Sequence, residues 1–213
     1  MKQADKFKKI YNDLWVRGKH FSPRNLLTIE LENYHTDFLP EHQFINFESR
    51  KLNINYIKKE IQWYFKGDLY DLSICDEAKI WQNCVTNGMI NSNYGYYLFS
   101  KAGLSFIVNE LKRDPTSRRA VLTIYDGKEH DQYKFDTPCT LSIVFCINDN
   151  KLCMTVTMRS NDLVFGFCND QYCFSKLQNI VANELKKEIG WYYHFAQNLH
   201  IYEKHFKLHE REI

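Results

Sequence analysis

Twelve residues, RSNDLVFGFCND from Arg159 to Asp170, set an arginine, a serine, two asparagines and two aspartates around an apolar turn. An apolar strand precedes them and an amphipathic helix follows, so these polar groups are either satisfied locally or turned toward a ligand. Three other places carry groups of chemical use. Cys139 follows a proline at the mouth of an apolar strand, and a thiol becomes a strong nucleophile once it is deprotonated. Arg118 and Arg119 are adjacent, and guanidinium forks hold phosphate or carboxylate through paired hydrogen bonds. His200 and Tyr202 close the last aromatic strand. Each also has a plainer reading: a core cysteine, a solvated strand edge, a satisfied core histidine.

Composition narrows the classes of function. The chain has 213 residues, 44% of them hydrophobic, enough for one well-filled core. A formal net charge of +2 offers no broad basic field for nucleic acid or membrane, so an anionic ligand must be caught by a few placed arginines. Seven cysteines without a C-x-x-C pair point to reduced thiols rather than a disulfide framework. The N-terminal MKQADKFKKIYNDLW is too polar for a signal peptide, and no apolar run approaches the ~20 residues of a membrane span. A cytoplasmic protein is expected. His194, His200 and His205 lack zinc-site spacing, and no phosphate-binding glycine loop occurs, so neither a metal nor a dinucleotide is expected.

The elements that must position these groups follow from periodicity. Phe7, Ile10, Tyr11 and Leu14 share one face of an N-terminal helix, HFSPRN is a loop, and LLTIELENY begins a strand. Asn53–Lys66 has helical spacing, with Tyr56, Ile57, Glu60, Ile61 and Tyr64 on one side; Glu60 is a carboxylate on an apolar face. Trp81–Gly95, with four asparagines, reads as a loop over a pocket. Leu104, Ile107, Val108 and Leu111 mark a helix that ends at Asp114-Pro115. AVLTIY is a strand, and TLSIVFCI and KLCMTVTMR flank Asn148–Asn150 as a hairpin whose two faces are both covered. Asp170 is placed to N-cap the helix QYCFSKLQNIVANELKKEI, and WYYHFAQNLHIY is a final strand. Together these predict an α+β architecture, a mixed sheet with surrounding helices in a single domain over residues 1–213.

Six segments in order, EIQWYFKGD, NGMINSNYG, DPTSRRAVLTIY, TPCT, MRSNDLVFGF and LHIYEKHF, resemble those of thymidylate synthases and their hydroxymethylase relatives. INSNYG, SRR and MRSND-VFGF-ND are most similar to the bacteriophage deoxycytidylate hydroxymethylases within that family. The likeness runs from about Leu27 to Phe206.

The resemblance implies a thymidylate synthase-like fold, a sheet-mediated homodimer, and roles for individual residues. Cys139 would add to C6 of a pyrimidine nucleotide, after which C5 attacks the methylene group of the co-substrate 5,10-methylenetetrahydrofolate. The site must favour the thiolate, and a neighbouring arginine such as Arg159 would do so. Arg159, Ser160 and Asn161 would bind the nucleotide, with Arg118 and Arg119 reaching its phosphate from the partner subunit. Arg24 could add a further phosphate contact. His200 and Tyr202 match the sugar-binding pair, Tyr94 a tyrosine beside the nucleophile, and Glu60 the proton-relay carboxylate. Asp162, with Trp81 and Gly166, would meet the folate, and Gly166 would permit the turn.

Asp170 aligns with the asparagine that reads uracil in the synthases. A carboxylate there accepts from the amino group of cytosine, so deoxycytidylate is the expected substrate, although a shift of one residue would put Asn169 in its place. The chain ends soon after the last motif, which favours water addition over reduction and so a 5-hydroxymethyl product. Methyl transfer to dCMP, action on dUMP or on the ribonucleotide CMP, and a silent nucleotide- or RNA-binding homologue remain the alternatives. No nucleic acid partner is required.

Overall fold

The computed structural model describes residues 3–40 and 53–208. Helix α1 (Gln3–Arg17) buries Phe7, Ile10, Tyr11 and Leu14 against the sheet, as their spacing requires. Short β1 (Lys19–Phe21) and the eleven-residue β2 (Thr28–Phe38) follow, joined through a tight turn at Pro23–Asn25. Helix α2 (Ile54–Lys66) starts where Asn53 accepts from the Tyr56 amide at 3.0 Å, and it ends at Gly67 in the left-handed conformation, φ 61°. A four-residue α3 (Ile74–Glu77), a 3-10 segment (Lys79–Cys84) and a π-helical turn (Tyr96–Ser100) lead to α4 (Gly103–Arg113).

Strands β3 (Val121–Thr123), β4 (Thr140–Asn148) and β5 (Lys151–Met158) come next, then the two-residue β6 (Asn161–Asp162). A second π-helical turn (Leu163–Phe167) runs directly into α5 (Cys168–Leu185), and β7 (Glu188–Tyr202) completes the sheet. The order is β1-β2-β7-β5-β4-β3, with β6 added to β7; β5 and β6 run parallel to β7 and the other pairs are antiparallel. The expected α+β architecture with a mixed sheet is therefore present. The β4–β5 hairpin turns on Asp149 and Asn150, both at positive φ (48° and 62°), where short polar side chains are best tolerated.

One face of the sheet is deeply buried. Ile143, Phe145, Met154, Val156, Tyr192, His194 and Ala196 are each at most 1% exposed, and α5 packs across β5 and β7. The opposite face is not closed by the described residues. Val121 and Tyr193 are exposed, and Val144, Thr155, Thr157, Trp191 and Phe195 are only half-buried. The expectation that both faces of the hairpin are covered therefore fails for the single chain, because no helix of the described residues is stacked there.

Three further boundaries differ from the sequence reading. The strand expected over AVLTIY is confined to Val121–Thr123. Helix α5 stops at Leu185, where Lys186 turns left-handed (φ 53°) and frees Glu188 and Ile189 to begin β7. The same helix begins at Cys168, two residues before the expected cap, because the π-helical turn feeds into it without a break.

Candidate active site

Cys139 sits just ahead of β4, and its carbonyl accepts from the Arg159 amide at 2.8 Å, so the ends of β4 and β5 hold thiol and guanidinium together. The Arg159 side chain donates to the carbonyls of Thr137 (2.7 Å) and Pro138 (3.1 Å) and approaches the Cys139 sulfur at 3.6 Å. Burial raises the thiol pKa, Arg159 opposes that shift, and the negative charges of Asp170 and Asp136 reinforce it. The net direction is upward. Burial thus outweighs the arginine among the described residues of one chain.

Asp170 lies in the first turn of α5, but it does not cap the helix. Its Oδ2 accepts from Asn161 Nδ2 at 2.7 Å across the turn that separates β6 from α5. The capping geometry belongs to Asp162, whose Oδ1 accepts from the Val164 amide at 2.9 Å and so opens the π-helical turn. Dense surroundings push the Asp170 pKa up to about 7; the Asn161 hydrogen bond resists this and the Asp162 charge adds to it. Asp170 is also one of the charges felt by Cys139, whereas Asn169, one residue earlier, lines a cavity of about 1090 Å³.

Gly166 has a different reason from the one expected. Its φ is not positive, so the turn does not need a glycine's backbone freedom. A Cβ there would stand 3.0 Å from Asn161 Nδ2 and 3.5 Å from Asp170 Oδ2. The position is kept small by the space between these two polar groups.

Glu60 is 6% exposed on α2. Tyr56, one helical turn earlier, donates its hydroxyl to Glu60 Oε1 at 3.0 Å and accepts from the Trp81 indole N–H at 2.8 Å. The Cys173 thiol of α5 points to Glu60 Oε2 at 3.9 Å. Tyr56 was placed on the helix face by its spacing but not recognised as part of the site; its position four residues before a misplaced carboxylate was the available signal. Tyr94 is 6% exposed and stacks between Tyr64 (5.4 Å, 13° between planes) and Phe174 (6.3 Å, 13°). Both Cys139 and Asp170 lie within electrostatic reach of it.

A cavity of about 1090 Å³ opens beside these groups, lined by Arg24, Tyr56, Asp162, Phe165, Tyr202 and Lys204 among others. His200 and Tyr202 meet edge to face at 5.2 Å, and Asp162 pairs with His200 in the β6–β7 register. Tyr202 feels the charges of Asp162, Arg24 and Cys139, while Cys139, Glu60 and Asp170 do not themselves line this cavity. Ser160 lies between β5 and β6, half-buried. A separate cavity of about 790 Å³, walled by Tyr70, Tyr96, Tyr97, Tyr125 and Tyr133, is bordered by Met89 and Asn91 of the asparagine-rich loop but contains none of the candidate site residues.

Arg118 and Arg119 are the members that stay apart. Both are exposed ahead of β3, and Arg119 Nε donates to Glu110 Oε1 at 2.9 Å. Glu110 also accepts from Ser117 and Arg113, and these hydrogen bonds hold its carboxyl down at about 2. Among the described residues, no group of three or more His, Cys, Asp or Glu side chains is arranged to hold a metal ion, and no helix is long and apolar enough to cross a membrane.

Comparison with known proteins identifies the family. The family model described as thymidylate synthase matches residues 5–213, and the chain belongs to the thymidylate synthase family. Members are folate-dependent one-carbon transferases that act on pyrimidine nucleotides, with methylenetetrahydrofolate as co-substrate. Deoxycytidylate 5-hydroxymethyltransferase of Enterobacteria phage T4 is 36% identical over 174 residues, covering 74% of this chain and 70% of the relative; that of phage T2 gives the same values. The thymidylate synthase of Streptococcus suis is 28% identical over 167 residues, covering 74% of this chain and 60% of the relative.

Proposed function

We propose that this protein is a deoxycytidylate 5-hydroxymethyltransferase, converting dCMP to 5-hydroxymethyl-dCMP. The observation that carries the reading is Asp170, a carboxylate held by Asn161 within electrostatic reach of Cys139. A carboxylate accepts from the 4-amino group of cytosine, whereas it would repel the 4-oxo group of uracil. With its pKa near 7, Asp170 can also share a proton with N3 and so stabilise charge that develops as sulfur adds to C6.

Cys139 is the nucleophile, and Arg159 at 3.6 Å favours its thiolate as it forms. Glu60, with Tyr56 and Trp81 behind it, holds and moves protons between the base and the co-substrate. His200 and Tyr202 bind the sugar, and Arg159, Ser160 and Asn161 flank the nucleotide. Methylenetetrahydrofolate supplies the one-carbon unit. The cavity suits it: an acceptor at Asp162, aromatic walls at Phe165 and Tyr56, and a volume just above the ~300–1,000 Å³ common for ligand sites.

The phosphate is completed across a homodimer. The half-open sheet face supports a second copy of the chain as its cover, and Arg118 and Arg119 stand exposed beside the edge strand of that face. Two added guanidinium charges would also counter the upward pull that burial exerts on Cys139.

Incubating the protein with dCMP, dUMP or CMP and methylenetetrahydrofolate, then weighing the product, tests the reading. A gain of one hydroxymethyl group on dCMP is the expected result. A methyl gain would make the protein a dCMP methylase, and turnover of dUMP alone would remove the cytosine assignment. No turnover of any nucleotide, with binding retained, would favour a silent nucleotide-binding homologue.

A further inference from the structure

The buried side of β7 carries polar groups that the proposed chemistry does not itself require. Tyr192 and His194 alternate on the face covered by α5 and are 0% and 1% exposed. The Tyr192 hydroxyl is 2.6 Å from His194 Nδ1, and His194 Nε2 is 3.0 Å from Asn161 Oδ1. Asn161 Nδ2 in turn donates to Asp170 Oδ2 at 2.7 Å. Four side chains from β7, β6 and α5 therefore form one line that ends on the carboxylate assigned to the base.

Ionised Asp170 allows one polarity along this line. A carboxylate only accepts, so Asn161 must present its amino group to Asp170 and its carbonyl oxygen to His194. That oxygen only accepts, so Nε2 carries the imidazole hydrogen. Burial keeps His194 neutral, with its pKa pushed down to about 3, so Nδ1 is left as an acceptor and Tyr192 donates. The reversed line is also self-consistent. A protonated Asp170 donates to a turned-over amide, the amide donates to Nε2, and Nδ1–H donates to the Tyr192 oxygen.

The two polarities would discriminate bases differently. The carboxylate accepts from a 4-amino group and repels a 4-oxo group, whereas the neutral acid, its one proton taken by the Asn161 oxygen, no longer repels a 4-oxo group. We infer that Tyr192 and His194 are positioning residues that orient the Asn161 amide, hold Asp170 in its accepting form, and thereby set the preference for cytosine over uracil. This inference rests on the proposed deoxycytidylate reading. The titratable groups that face Asp170 are Tyr64 of α2, Tyr94, Cys139, Asp162, Tyr192 of β7, and Cys173 on its own helix. None of these carries a positive charge, so the Asn161 amide is the group through which the line can act.

The test uses the full chain with Tyr192→Phe, His194→Leu and His194→Gln, each checked for folding by circular dichroism. Two quantities are read. One is the titration midpoint of Asp170, from carboxyl carbon NMR assigned by its loss in Asp170→Asn. The other is the ratio of dCMP to dUMP affinity by calorimetry. His194→Leu is expected to raise the midpoint and reduce the ratio about tenfold, the scale of one well-placed base contact. Tyr192→Phe should move both in the same direction by less. His194→Gln should recover most of the ratio, because its amide can donate to Asn161 and accept from Tyr192.

Unchanged midpoint and ratio in folded variants would overturn the inference, and Tyr192→Phe decides alone if His194→Leu does not fold. A wild-type protein that binds dUMP as well as dCMP, with a midpoint that still moves in the variants, would remove the base assignment while leaving the positioning intact. A cytosine preference with an unmoved midpoint would do the opposite.

Discussion

The Arg159 guanidinium stands 3.6 Å from the Cys139 sulfur, while its other hydrogen bonds go to the carbonyls of Thr137 and Pro138 immediately before that cysteine. The arginine is therefore both a charge beside the thiol and a brace for the segment that carries it. Because burial still holds the thiol pKa above the ordinary value, alkylation of Cys139 by iodoacetamide should rise with pH later than for a free cysteine. Arg159→Gln removes the guanidinium charge that opposes this shift and should move the midpoint higher again. A midpoint in Arg159→Gln equal to or below that of the parent protein would contradict this balance.

The hydrogen bond from Tyr56 to Glu60 predicts a graded loss of turnover. Glu60→Gln should lower kcat by ~10²–10⁴-fold, the usual scale for a general acid–base group. Tyr56→Phe leaves the carboxylate but removes its donor and the acceptor of Trp81, so a smaller loss of about tenfold is expected, with KM for dCMP little changed. Steady-state kinetics of both variants separate these effects. Equal losses would mean that Tyr56 does more than support Glu60.

Asp170→Asn should exchange the preferred base from cytosine to uracil, read as the ratio of kcat/KM for dCMP and dUMP. The same variant changes stability with a definite sign. The folded-state pKa of about 7 lies above the ordinary carboxyl value of 3.8, so the folded protein binds more protons than the unfolded chain between those pH values. The contribution of Asp170 is therefore fully present below about pH 4 and lost as pH rises through 7. Asp170→Asn should be the more stable protein at pH 8 by about 1–3 kcal/mol, the cost of a poorly satisfied buried charge, with the gap closing toward pH 4. Urea denaturation at the two pH values measures it.

The proposed sharing of the site between two subunits makes a mixing experiment decisive. Arg118→Ala/Arg119→Ala and Cys139→Ala should each be inactive alone. Random reassortment of the two should restore about a quarter of the parent activity, because half of the dimers are mixed and each has one complete site. No recovery in a mixture shown by sedimentation to contain dimers would place both arginines outside the active site.

The glycines separate local from global effects. Gly166→Ala brings a methyl to 3.0 Å from Asn161 Nδ2, where a side chain can give way, so activity should fall about tenfold with little change in melting temperature. Gly95→Ala would set a Cβ 1.6 Å from the Tyr64 carbonyl oxygen, and backbone on both sides must then move. Its expected outcome is a loss of folding. Thermal melts of both variants check the contrast.

Where periodicity was strong, the sequence was legible. The buried face of α1, the helix at Ile54–Lys66 and the β4–β5 hairpin follow from spacing and turn residues alone, because burying an apolar stripe leaves little choice of element. The candidate chemical groups were legible for other reasons: Glu60 is a carboxylate on an apolar helix face, while Cys139, Arg159 and Asp170 were given roles by the family resemblance of the segments that carry them. Helix ends were less clear. Asp170 had the composition of a cap, but the π-helical turn gave that task to Asp162, and turns of this kind leave no clear signature in one sequence.

The amino-acid sequence by itself determined the elements, the family and the set of groups available for catalysis. Only the tertiary structure decided how those groups are paired. Tyr192 and His194 lie more than 20 residues beyond Asp170 and read as ordinary core residues until β7 folds parallel to β6 and aims them at Asn161. The thiol's resting protonation was also undecided by sequence, since it depends on the balance between burial and one guanidinium. Hydrogen-bond polarity and desolvation act over a few ångströms, and which residues fall within that range is set by packing rather than by order along the chain.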